Sequence, residues 1–312
     1  MQNTKPRDVG VLLFPSFSMH CLANAVEPLR AANQLSGKTL YRWQYLSLDG
    51  EEVVSSSGLP VRPAMRLGAH EGGAMLLLMP SYGYRGFCEA VTLRALRSAA
   101  SRFETVIGLD CGAWLMAAAG LLEGRRATIH WDERTSFSET FPEIDVLEDR
   151  HVIDGNRITC GGASTSFELM LDLIQRDHGA MLRVEVGALF MLGAHVAANP
   201  PVTQRSGIAR IDKTVAFMRR HIEDPVSIDE IAKAVGMGSR RLETVFRDGL
   251  GVSPRAVYKS IRLAEARRLL LHSGFSIAEI AGRCGYQDAS AMSRAFRAEF
   301  GMSPSDVRRS AM

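Results

Sequence analysis

The last hundred residues of the chain carry one pattern twice, and this duplication constrains the fold more than any other feature. Ser227-Ile-Asp-Glu-Ile-Ala232 recurs as Ser276-Ile-Ala-Glu-Ile-Ala281. Each copy reaches a glycine four residues later (Gly236, Gly285), then a Phe (Phe246, Phe296), a Gly (Gly251, Gly301) and a Ser-Pro pair (Ser253-Pro254, Ser303-Pro304). The copies lie 49 residues apart at their start and 50 at their end, so the second gained one residue near its turn. Composition alone does not place capping serines, turn glycines and aromatic anchors in the same order twice.

Each copy predicts a helix, a tight turn and a second helix. Ser227 with Glu230, and Ser276 with Glu279, form S-x-x-E capping boxes, in which hydroxyl and carboxylate satisfy first-turn amides reciprocally. The inward faces are Ile228/Ile231/Ala232/Val235 and Ile277/Ile280/Ala281/Cys284. Gly236 and Gly285 stop these helices, because glycine accepts the positive φ of a C-terminal turn. The second helices start at the N-caps Ser239 and Asp288. Leu242, Val245 and Phe246 face inward in the first, and Met292, Ala295 and Phe296 in the second. Ser239, Arg240, Arg241, Glu243, Thr244 and Arg247 are left outward, as are Ser290, Ser293, Arg294 and Arg297. Arginine pairs guanine in bidentate fashion in the major groove, and serine or threonine serves bases or phosphates. These ten residues are therefore the candidate DNA contacts. Ser253-Pro254 starts a longer helix, with proline at its first position, that joins the units. Units reading one face of B-DNA are expected about 34 Å apart.

Charge agrees with this division. Residues 209–312 carry 18 Lys and Arg against 12 Asp and Glu, a balance of +6, and the other 208 residues carry 19 against 22, a balance of −3. The excess positive charge sits with the repeat, as phosphate binding requires. The five cysteines, Cys21, Cys88, Cys111, Cys160 and Cys284, form no CxxC pair, which points to a reducing cytoplasm and excludes a disulfide framework. Neither a signal-peptide core nor an apolar run of membrane-spanning length is present. No metal or cofactor is expected.

The first two hundred residues alternate strand-like and helix-like runs. Strands are expected at Asp8–Phe14, Tyr41–Leu48, Ala74–Met79 and Thr105–Leu109. Helices are expected at Met19–Leu35, Phe87–Ala100, Ala113–Ala119, Ser164–His178 and Met181–Ala197. This alternation predicts a parallel α/β sandwich, whose ligands bind outside the carboxyl ends of the strands. At one such end lies Gly108-Leu-Asp-Cys111-Gly-Ala. A cysteine over a helix N-terminus is expected to have a lowered thiol pKa, and with His130 it makes a candidate nucleophile pair. The alternative is that both merely line a pocket or the core. Ala197-Ala-Asn-Pro-Pro-Val-Thr-Gln-Arg-Ser-Gly207 reads as a linker. The expected division is therefore residues 1–196, a linker over 197–209, and 210–312.

Two resemblances sharpen this reading. The second part resembles the DNA-binding domain of AraC/XylS-family bacterial transcription regulators. The residues carrying it include Gly251-Val-Ser-Pro254, Arg262-Leu263, Ala266-Arg-Arg-Leu-Leu270, Cys284-Gly-Tyr286, Ser293-Arg-Ala-Phe296 and Phe300-Gly-Met-Ser-Pro304. The resemblance implies a seven-helix, all-α domain with two helix-turn-helix units reading successive major grooves. Met292 stands where the family often has an aromatic. The first part resembles the class I glutamine-amidotransferase-like superfamily, in its PfpI-like branch, through Val11-Leu-Leu-Phe-Pro15, Glu27, Cys111-Gly-Ala-Trp-Leu-Met-Ala-Ala-Ala-Gly-Leu-Leu-x-Gly124 and Arg125-Arg-Ala-Thr-x-His-Trp131. That implies a flavodoxin-like parallel α/β sandwich. Active members place a carboxylate against the nucleophile; here Cys21 falls at that place, and Leu109 replaces the usual small residue two before Cys111. The expectation is a ligand pocket built on a retired hydrolase site and not an enzyme, with a Cys111/His130 hydrolase or glyoxalase-like enzyme as the alternative.

Jointly the halves resemble the GlxA-like subgroup of AraC-type regulators. Phe17-Ser-Met-His-Cys-Leu-Ala-Asn-Ala-Val-Glu-Pro-Leu-Arg-Ala-Ala-Asn33 and Leu40-Tyr-Arg-Trp43 look most like regulators of arginine, carnitine and glycine-betaine catabolism. This implies a homodimeric cytoplasmic activator that contacts RNA polymerase and responds to a small amine, amino acid or quaternary ammonium compound. Candidate pocket residues are Phe14, Cys21, Tyr82, Cys111, Gly112, Trp114, His130 and Trp131. Amides at Gly112–Ala113 would hold a carboxylate, and the aromatics would face a cation.

Overall fold

The computed structural model describes residues 5–190 and 205–310. Its contacts divide the chain into two compact units after Asp177. Every strand and helix expected up to His178 forms within three residues of its expected bounds; the helix expected over Met181–Ala197 is described over Ala180–Leu189, and residues 191–197 lie outside the described residues.

In that unit, β1 (Arg7–Leu13), β2 (Tyr41–Ser47), β6 (Gly73–Met79), β7 (Phe103–Leu109) and β11 (Arg157–Cys160) form the body of a seven-stranded sheet. Short β5 (Met65–Arg66) joins one edge and β10 (His151–Asp154) the other, giving the order β10-β11-β7-β6-β1-β2-β5. All neighbours are parallel except β10 and β11. Small pairs β3 (Val53–Val54) with β4 (Pro60–Val61), and β8 (Arg126–Ala127) with β9 (Asp145–Val146), stand apart. Helices α1 (Met19–Ser36), α2 (Ala90–Ala100), α3 (Gly112–Ala118), α4 (Arg134–Thr140) and α5 (Ala163–His178) complete the sandwich. The apolar runs that predicted the central strands are buried throughout, Val9–Leu13 and Ala74–Met79 included, as a sheet covered on both faces requires. The chain passes from β1 to β2 on one side and to β6 on the other, so the sheet's switch point lies between β1 and β6.

The second unit contains α6 (Ala180–Leu189), α7 (Arg205–Arg220), α8 (Ile228–Ala234), α9 (Ser239–Leu250), α10 (Pro254–His272), α11 (Ile277–Arg283), α12 (Ala289–Phe300) and α13 (Pro304–Ser310). The seven helices α7–α13 are those the resemblance implies. The expected boundary needs correction at both ends. Helix α6 belongs with this unit, because Ala180 and Val184 pack into the same core as Ile211, Ile231, Leu242 and Phe246. Helix α7 already begins at Arg205, within the stretch read as linker; the rest of that stretch falls mainly outside the described residues. The unit has two cores and α10 serves both. Val257, Tyr258 and Ile261 complete the core of the first repeat, and Leu263, Ala266, Leu269 and Leu270 that of the second.

Candidate nucleic-acid interface and ligand crevice

The repeats close in the same way at both ends. Ser227 Oγ accepts from the Glu230 amide at 3.2 Å while the Glu230 carboxylate accepts from the Ser227 amide at 2.8 Å. Ser276 and Glu279 repeat the exchange at 3.2 and 2.7 Å. At the other end, the Met237 amide donates to the Ala232 carbonyl and the Gly236 amide to Lys233; the Tyr286 amide donates to Ala281 and the Gly285 amide to Gly282. Each is a Schellman pair, closed by a glycine at φ 75° and φ 70° respectively. The second helices leave most, but not all, of the residues read as outward exposed. Arg240, Arg241, Thr244 and Arg247 are exposed on α9, and Ser290, Arg294 and Arg297 on α12. Glu243 and Ser293 are half-buried, and Glu243 pairs with Arg247 at 3.1 Å. Asp288 caps α12 by accepting from Ala291 at 2.6 Å. Ser239 does not cap α9: Gly238 holds that position, and the Ser239 hydroxyl donates instead to Asp229 of α8. It ties the two helices of the first unit together, a cross-link the second unit lacks because Ala278 stands where Asp229 does.

Arg262 of α10 fixes the second unit. Its guanidinium donates to the carbonyls of Cys284 (2.8 Å) and Gly285 (2.6 Å) and lies 4.4 Å from the Tyr286 ring centroid. Tyr258, one turn earlier, donates to the His221 carbonyl ahead of the first unit. One helix therefore grips the backbone just ahead of the first repeat and a backbone turn within the second.

In the first unit, the carboxyl ends of β1, β6 and β7 converge. Among described non-glycine residues, only Ser16 (φ 63°) and Asp110 (φ 58°) are left-handed, and both stand just past strand ends there. Ser81, after β6, accepts from the Ser18 amide at 3.1 Å. The Cys111 amide donates to Pro80 and the His130 amide to the Asp110 carbonyl, both at 3.3 Å. The turn has no slack: a Cβ on Gly112 would lie 2.8 Å from the Leu78 carbonyl oxygen, and one on Gly108 would lie 2.7 Å from the Gly112 carbonyl carbon. Above it, Arg85 donates to Glu133 at 2.8 Å, to Ser136 at 2.9 Å and to Tyr84 at 3.0 Å. The same guanidinium covers Trp114, 4.3 Å from the ring centroid.

Residues 231–310 match the family described as Helix-turn-helix domain, and residues 21–176 the DJ-1/PfpI family. The HTH-type transcriptional regulator CdhR of Pseudomonas aeruginosa is 36% identical over 97% of this chain and 91% of its own length. The HTH-type transcriptional regulator GlxA of Rhizobium meliloti is 33% identical over 96% of this chain and 95% of its own. The chain belongs to the GlxA-like family of AraC-type transcriptional regulators. A solved AraC family regulator from Pseudomonas putida shares 27% identity with 59% of this GlxA-like chain, covers all of its own length and superposes with a TM-score of 0.51. A THiJ/PfpI family protein from Pseudomonas syringae, at 20% identity over 70% of this chain and 87% of its own, shares the fold with a TM-score of 0.52.

Against this background, several expected pocket residues of the GlxA-like chain are displaced. Burial pushes the Cys111 thiol up, and the carboxylates of Asp110 and Glu133 push it further, so the expected lowering is reversed. The helix it caps has only seven residues, too short for its dipole to offset this. Among the described residues no hydrogen bond joins Cys111 to His130; the thiol's one partner is Asp110 Oδ1 at 3.9 Å. Cys21 is buried, with its sulfur 3.4 Å from Ser166 Oγ, and burial raises its pKa as well. Phe14 is a core residue packed on Phe87 at 5.2 Å. Gly112 is also buried, and Trp114 is covered by Arg85, Tyr84, Phe137 and Phe141. Tyr82 and Trp131 are 66% and 70% exposed, and His130 is half-buried. The strained turn residue, where a nucleophile would sit on an elbow of this kind, is Asp110 and not Cys111. Sequence reading missed it because positive φ leaves no mark on an Asp, although Asp tolerates that region better than most residues.

Proposed function

We propose that the chain is a ligand-responsive activator of a catabolic operon, acting in the cytoplasm. The reading is supported most by one combination: a duplicated helix-turn-helix with outward Arg and Ser side chains shares a chain with an α/β unit whose elbow has no usable thiol. Ser239, Arg240, Arg241, Glu243, Thr244, Arg247, Ser290, Ser293, Arg294 and Arg297 are its DNA contacts. The inducer is a small amine, amino acid or quaternary ammonium compound, held at the carboxyl ends of β1, β6 and β7. The first unit dimerises and so brings two helical units onto repeated half-sites, next to RNA polymerase. The inducer acts by binding one arrangement more tightly than the other, since a ligand with equal affinity for both shifts nothing. The protein performs no catalysis and needs no cofactor.

Selection of the full chain on a randomised duplex pool tests the DNA half of this proposal. Enrichment of a two-part site with half-sites in successive turns is expected; a bound pool no different from the input refutes it. For the sensor half, Cys111→Ala is expected to keep inducer-dependent reporter output. A turnover activity that disappears in that variant would instead establish a cysteine enzyme.

A further inference from the structure

Asp110 is a costly residue at its position. A left-handed conformation is strained for an L-residue, less so for Asp than for most, and glycine would remove the strain. Glycine is used on both sides, at Gly108 and Gly112, where close packing demands it, yet the strained position itself carries a carboxylate. That carboxylate does not cap α3, whose N-cap is Cys111 with no side-chain hydrogen bond. Among the described residues its one hydrogen bond is the weak contact from the Cys111 thiol at 3.9 Å. Arg85, whose charge acts on Cys111 at the elbow, is already paired with Glu133 at 2.8 Å. Asp110 is half-exposed and stands beside the sheet's switch point, where ligands enter folds of this class.

We propose that Asp110 is the counter-charge that recognises a small organic cation in the sensor unit, occupying by position the place of a nucleophile and acting as a binding group. This rests on the reading of the first unit as a ligand sensor and names the residue and the charge of the ligand. Asp110 accepts from, or lies against, the ligand's positive group, and the strained turn aims it outward from the strand ends. The aromatic faces contribute less, because Trp114 is covered by Arg85 and Phe14 is core.

The test is calorimetric titration of the full chain with matched pairs differing in one charge: arginine against citrulline, lysine against norleucine, and glycine betaine against 3,3-dimethylbutanoate. At least one of the three compounds that carry the extra positive group is expected to bind, with the partner that lacks this group much weaker. Asp110→Asn, which keeps the shape and removes the charge, is expected to weaken binding of that compound by about tenfold or more. Asp110→Gly is expected to lose binding while melting no lower than the parent, because it relieves the strained φ. Equal binding of a cation by the parent and by Asp110→Asn overturns the assignment and leaves the sensor reading standing. Equal binding of both members of a pair also overturns it. Failure of all six probes to bind the parent chain overturns the sensor reading, and this proposal with it.

Discussion

Gly236 and Gly285 hold equivalent places in the two repeats, and the structure predicts that they respond differently to the same substitution. Both have φ near 70°, so alanine at either position costs about 1–2 kcal/mol of backbone strain. At Gly236 nothing lies within 4 Å of an added Cβ, and the cost stops there. At Gly285 the Cβ would lie 2.2 Å from Pro225 Cγ and 2.6 Å from the Ile222 carbonyl oxygen. Neither is the end of a flexible side chain, so the loop ahead of α8 must move, and overpacking adds about 1–3 kcal/mol. Gly285→Ala should therefore cost roughly 2–5 kcal/mol and Gly236→Ala roughly 1–2. For a unit of this size, each kcal/mol lowers the melting temperature by roughly 3–5 °C. The assay can separate the units, because all three tryptophans, Trp43, Trp114 and Trp131, lie in the first. Circular dichroism at the helical band follows the second unit as well, while tryptophan fluorescence follows the first alone. Gly285→Ala should lower the helical transition by well over the Gly236→Ala shift and leave the fluorescence transition in place. Equal shifts for the two variants would refute the claim that Gly285 is held by contact as well as by conformation.

Other perturbations follow from the same geometry. Arg241→Ala or Arg294→Ala should weaken specific DNA binding by about 1–3 kcal/mol if the residue reads a base, and should lower the salt slope by about one if it meets a phosphate; unchanged affinity at every salt concentration removes that residue from the interface. Arg262→Ala loses two hydrogen bonds to carbonyls and the contact with Tyr286, so denaturation of the helical unit should show a loss of about 2–4 kcal/mol, only partly restored by lysine. Cys111 should alkylate slowly at neutral pH, since burial and its acidic neighbours hold the thiol protonated; rapid mass-detected modification of this residue would contradict that. Glu185 is pushed up to about 7 by burial, although Arg267 and Arg219 pull it back. Between its ordinary carboxylate range and pH 7 the folded unit keeps a proton the unfolded chain has released, so stability should fall as pH rises through that window. Glu185→Gln should flatten the fall in melts recorded across it.

The helical unit was legible because its signals are local. A capping box spans four residues and a Schellman glycine follows a short helix at a fixed offset, so Ser227, Glu230, Gly236 and their repeats could be read directly. The central strands were legible for a different reason: full burial writes itself as an unbroken apolar run. What escaped depends on contacts distant in sequence. The allegiance of α6 is decided by Ile211 and Phe246, which a reader of Met181–Ala197 alone cannot weigh. Ser239 is a good cap by composition, but Asp229, ten residues earlier, takes its hydroxyl. The β10–β11 hairpin is an exception, since Asp154-Gly155-Asn156 between two β-rich runs is a turn signal local to the sequence. The pair β8–β9 has two residues per strand, too few for any alternation to show.

The elbow explains why the DJ-1/PfpI fold can serve a regulator without redesign. The turn after β7 is fixed by glycines whose missing Cβ atoms let α3 press on β6 and β7. That packing pins the conformation whatever side chain residue 110 carries. An enzyme uses such a turn to hold a thiolate where a proton acceptor can reach it, and this requires a group to receive the proton. Here Cys21 stands in the acceptor's expected place and hydrogen-bonds Ser166, so an activated thiolate would have no base. A carboxylate on the same turn needs no base, because it acts by attraction alone and gains from any cation that arrives. The strain at φ 58° then serves placement of charge and not bond-making. On this reasoning Asp110→Cys would put a thiol on the elbow without restoring turnover, and turnover would further require a carboxylate at position 21. Hydrolytic activity in Asp110→Cys alone would show that the lost partner was never the limiting element.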